Sequence, residues 1–90
     1  MEDFRILLVD DEVDFVETLS ERLSLRKYNV RTVNSAAQAM PLLYSFKPHL
    51  VILDIRMPEM NGIEFLKLVK KAQSFNRGYN AHSLWEHEFC

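Results

Sequence analysis

His49-Leu50-Val51-Ile52-Leu53-Asp54 is an apolar run that ends in a carboxylate, followed directly by Ile55-Arg56-Met57-Pro58-Glu59-Met60-Asn61-Gly62. Residues 50–53 show no polar alternation, which is the pattern of a strand buried on both faces. A carboxylate at the mouth of such a strand, entering a Pro/Gly loop, is costly unless something charged meets it. A second apolar run, Phe4-Arg5-Ile6-Leu7-Leu8-Val9, ends in Asp10-Asp11-Glu12. Two strands that both end in carboxylates point to one shared cation site.

The segments between these runs read as helices and one further strand. Val13, Val16, Leu19 and Leu23 recur at helical spacing, so a helix is expected over residues 13–26. Asp11 or Asp14 would cap or charge its first turn. Residues 28–33 are polar at alternate positions and read as an edge strand. Ser35 is a suitable N-cap for a helix over 36–46, which Pro41 should bend and Lys47-Pro48 should end. Residues 57–62 form a loop, and Ile63, Leu66 and Val69 share one face of a third helix over 63–72. Strand and helix therefore alternate three times. The fold class is α/β: a partial doubly wound, flavodoxin-like parallel sheet with helices on both faces. Such sheets bind ligands beyond the carboxyl ends of their strands, where Asp10, Asp11 and Asp54 all fall.

Ninety residues make one domain at most, and 48% hydrophobic with 27% charged residues is ordinary for a globular chain. The net charge of −2 gives no reason to expect nucleic acid or an anionic membrane as a partner. Glu2, Asp3, Asp10, Asp11, Glu12, Asp14 and Glu17 crowd the N-terminal part, which favours a cation there. The lone Cys90 cannot form an internal disulfide. With no signal pattern and no membrane-length apolar run, this fits the cytoplasm.

Ile6-Leu7-Leu8-Val9-Asp10-Asp11-Glu12, then Pro48 to Asp54, Met57-Pro58 and Asn61-Gly62 resemble the receiver domain of two-component response regulators. The resemblance covers residues 4–72, with Ile63-Glu64-Phe65-Leu66 included. It implies a phosphoacceptor module rather than an enzyme. Asp54 would take a phosphoryl group from a histidine kinase or phosphotransfer protein. It also implies Mg²⁺, with Asp11 as main ligand, Asp10 and Asp54 beside it, and the main-chain oxygen of Arg56 as a further contact. The three strands would lie in the order second, first, third.

The family pattern stops at residue 72. Members continue through two more strands, with a Thr or Ser ending the fourth and a Lys ending the fifth. Neither is legible in residues 73–90, which read as a non-family and disordered tail. Back-translation of residues 73–85 with one base skipped permits N-P-S-T-E-V-I-M-L-T-A-Y-G, a loop, an apolar strand and a Thr. A truncated, frameshifted receiver with impaired activity is the resulting expectation. Its third strand would leave the 50–53 edge unpaired, a surface that recruits other chains. Marginal stability and self-association through that edge follow.

Simpler readings apply to the parts. Asp10 and Asp11 also suit helix capping, and Asp54 also suits a turn. The conjunction is what favours the site. Three functions compete: the phosphoacceptor, an interaction module that no longer takes phosphate, and a Mg²⁺-dependent phosphohydrolase; a non-functional gene fragment is the remaining alternative. Such a phosphohydrolase usually places its nucleophile on the first strand in a D-x-D pattern, whereas Asp10-Asp11-Glu12 stands there. His82 and His87 lack the spacing of usual metal ligands.

Overall fold

The computed structural model of the protein describes residues 3–54, 62–75 and 82–86. The element order is β1 (Arg5–Val9), α1 (Val13–Leu25), β2 (Asn29–Val33), α2 (Ala36–Ser45), β3 (Leu50–Asp54), α3 (Gly62–Phe75) and β4 (His82–Glu86). All strands pair in parallel, in the order β2-β1-β3-β4. The expected 2-1-3 arrangement is therefore present, with a fourth strand added.

Alternation along the strands divides the core into two layers. Leu7, Val9, Val33, Val51 and Leu53 pack with Ala39 and Leu43 of α2 and with Phe65, Val69 and Ala72 of α3. Ile6 and Leu8 pack on the other face with Val16, and with the half-buried Leu19 and Leu23 of α1. Helices thus cover both faces, as the apolar runs of β1 and β3 require.

Local chemistry sets the helix ends. Ser35 caps α2, its hydroxyl accepting from the Gln38 N–H at 3.2 Å. The Gln38 side chain accepts in return from the Asn34 N–H at 2.9 Å. Helix α2 runs on through Pro41, whose carbonyl takes the Ser45 hydroxyl at 3.1 Å. Arg5, the one polar residue of β1, has its Nε on the Phe46 and Lys47 carbonyls, at 2.7 and 3.0 Å. A cation there satisfies orphan carbonyls and complements the helix dipole. Lys27 (φ 73°) and Lys47 (φ 52°) follow α1 and α2 in the left-handed region. At the start of α1 the expectation of an aspartate cap is corrected. Glu12 occupies the N-cap without a side-chain cap bond, and Asp14 supplies the first-turn charge.

Two further expectations are corrected. The sequence pattern offers no strand in the tail and leaves β3 as an open edge for self-association. Instead β4 pairs with β3 over its whole length, from Leu50↔His82 to Asp54↔Glu86. The physical reason is non-local. His82-Ser83-Leu84-Trp85-Glu86 has neither an apolar run nor a clean alternation. The free N–H and C=O row of β3 nevertheless demands a partner. Strand formation depends on such context more than on intrinsic preference. Helix α3 also continues to Phe75, past the expected end at 72.

Candidate functional site

Strand order reverses at β1: α1 leads from it to β2 on one side, while β3 lies on the other. The carboxyl ends of β1 and β3 meet at this switch, the position where open α/β sheets bind ligands. Val9 stands in register with Leu53, so Asp10 and Asp54 are the next residues along two adjacent strands. Neighbouring strands lie about 4.8 Å apart, so these two chain positions are adjacent across the sheet.

Asp10 is only 4% exposed. Its N–H donates to the Val33 carbonyl at 3.2 Å, and its carbonyl accepts from Asn34 Nδ2 at 3.4 Å. These bonds tie the end of β1 to the end of β2. Its Oδ1 accepts from the Glu12 N–H at 3.0 Å, which turns the chain into α1. A buried carboxylate with such bonds is held at the N-terminal, electropositive end of a helix. Asp11 and Glu12 are exposed. Asp10 thus orders the turn, while Asp11 faces solvent.

Asp54 closes β3. Its side chain, Arg56 and the loop over 57–61 lie outside the described residues, as does His87. Among the described residues, no group of three or more His, Cys, Asp or Glu converges. Two contributions were missed in the sequence. Asn34 anchors the Asp10 main chain, for which a polar residue after an edge strand is a faint signal. Glu86 stands in register with Asp54, a position that becomes visible only once β4 is known.

A family model for the response regulator receiver domain matches residues 6–77. The chain belongs to that family, whose members are signalling modules of two-component systems. It is 42% identical over 71 residues to the transcriptional regulatory protein CpxR homolog of Haemophilus influenzae, covering 78% of this chain and 30% of that protein. It is 37% identical over 70 residues to the regulatory protein AtoC of Escherichia coli, covering 78% of this chain and 15% of that one. Among solved structures, the non-phosphorylated HemR receiver domain of Leptospira biflexa superposes with a TM-score of 0.80 at 32% identity, covering 94% of this chain and 64% of that chain. The chain thus spans less than a third of the length of these two curated relatives. No helix among the described residues is long and apolar enough to cross a membrane.

Proposed function

We propose that this receiver accepts a phosphoryl group on Asp54 from the phosphohistidine of a histidine kinase or phosphotransfer protein, in the cytoplasm. The observation that carries this is the register of β1 and β3, which sets Asp54 beside the buried Asp10 at the switch of the sheet. A carboxylate oxygen of Asp54 would attack phosphorus, forming a P–O bond as the P–N bond breaks. The electron pair leaves on the imidazole, and the product is an acyl phosphate. No general base is needed, because the nucleophile is already an anion.

The donors suit a hard cation. A fixed buried carboxylate (Asp10), an exposed one (Asp11), Asp54 and the main-chain oxygen of Arg56 are all oxygen ligands, the type Mg²⁺ takes alongside water and phosphate oxygens. Asp11 would hold it most directly, and Asp10 directly or through water. When bound, Mg²⁺ neutralises the charge that accumulates as two anions approach.

The test is incubation of the protein with Mg²⁺ and acetyl phosphate. A hydroxylamine-labile label is expected on the wild type and none on Asp54→Asn. A label that persists in Asp54→Asn moves the acceptor elsewhere.

A further inference from the structure

Helices α1 and α3 lie on opposite faces of the sheet, and each presents a row of like charge. On α1 the row is Glu17, Glu21 and Leu25; on α3 it is Ile63, Lys67 and Lys71. All six are exposed, and Leu25 (81%) and Ile63 (68%) are the most exposed large apolar side chains among the described residues. Both rows step by four residues, about 6 Å along a helix axis. Side chains at that spacing are neighbours, so Glu17 repels Glu21 and Lys67 repels Lys71. Among the described residues none of these four charges forms an ion pair.

We propose that a second copy of this chain docks its α3 row antiparallel on the α1 row of the first. The two rows then match position for position: Leu25 on Ile63, Glu21 on Lys67, and Glu17 on Lys71. Each glutamate gains a lysine, both like-charge pairs are relieved, and the two exposed apolar side chains cover each other. Rows packing along their i, i+4 ridges is a common mode of helix contact. Because the two surfaces differ and sit on opposite faces of one sheet, the contact is head-to-tail. It leaves an unused row at each end and does not close as a dimer.

Sedimentation velocity of the full chain provides the test. At low salt the weight-average mass should rise with protein concentration and pass that of a dimer. In about 0.5 M salt, where the Debye length falls to a few Å, it should return to the monomer. Glu17→Lys with Glu21→Lys should abolish association, and so should Lys67→Glu with Lys71→Glu. Mixing the two double variants should restore it. Glu17→Gln with Glu21→Gln, a milder change, should weaken it about fivefold to tenfold, as expected for two exposed pairs. Circular dichroism confirms that each variant is folded. A wild type that stays monomeric at low salt overturns the proposal. So does association that ignores salt and these substitutions, which would point to the outer edge of β4, or a mixture that fails to reassociate.

Discussion

Arg5 and His49 clasp each other through both main-chain groups of Arg5. The Arg5 N–H donates to His49 Nδ1 at 3.0 Å, and the His49 N–H donates to the Arg5 carbonyl at 2.8 Å. The ring of His49 also stacks on Phe4, with centroids 5.0 Å apart. This clasp fixes the start of β1 against the start of β3, and so the register that aligns Asp10 with Asp54 at the other end. Because Nδ1 accepts, the hydrogen bond assigns the ring proton to Nε2.

Replacing His49 with Ala should therefore destabilise the protein by about 1–2 kcal/mol, the cost of leaving a partly buried N–H without its acceptor. Asn, which keeps an acceptor, should recover part of the loss. Urea unfolding of the three proteins measures this. Equal midpoints for wild type and His49→Ala would show that the clasp contributes nothing.

Lys27 offers the opposite sign of change. It follows α1 at φ 73°, with its N–H on the Ser24 carbonyl at 2.8 Å and the Tyr28 N–H on the Leu23 carbonyl at 3.3 Å. This is the left-handed helix end that glycine adopts without strain. A non-glycine residue there costs about 1–2 kcal/mol, while glycine adds back some unfolded-state entropy. Lys27→Gly should raise stability by about 0.5 kcal/mol, seen as a melting point a few degrees higher. A lower melting point would contradict the strain.

The pairing of β3 with β4 changes what unfolding should look like. Val51 is wholly buried and Leu53 is 2% exposed, with strands hydrogen-bonded on both sides of β3. The amides of residues 51–53 should be among the slowest to exchange with deuterium, and thermal unfolding should be one cooperative step. Leu53→Ala should cost about 2–5 kcal/mol, a large part of the ~5–15 kcal/mol typical of a domain. Rapid exchange of those amides would return β3 to the open edge that the sequence alone suggested.

That contrast shows where the sequence was legible. β1 and β3 announce themselves as apolar runs because both faces of each are covered, and Ser35 signals α2 because its cap is a local hydrogen bond. The carboxylates were legible for the same reason, since charge at the end of an apolar strand is conspicuous. The start of α1 was less so, because Asp10 meets the Glu12 N–H from two residues back and leaves Glu12 at the cap position. β4 was illegible because its partner, not its own pattern, specifies it.

Glu86 is the β4 residue in register with the proposed acceptor, Asp54. The two positions lie at the spacing of adjacent strands, about 4.8 Å. The family pattern has a hydroxyl residue at the end of this strand. If Asp54 takes the phosphoryl group, a carboxylate at this register position would by its charge oppose the approach of an anionic donor. At the dielectric of water a like charge about 4 Å away costs about 1 kcal/mol, or roughly fivefold in rate. If Asp54 is the acceptor, Glu86→Gln should raise the initial rate of acetyl phosphate incorporation about fivefold by removing the charge. Glu86→Thr should raise it further by also supplying a hydroxyl. Asp54→Asn in the Glu86→Thr background should stay unlabelled, which keeps the gain assigned to the proposed acceptor. Rates unchanged or lowered in both Glu86 variants would mean that the end of β4 does not act on the phosphoryl group.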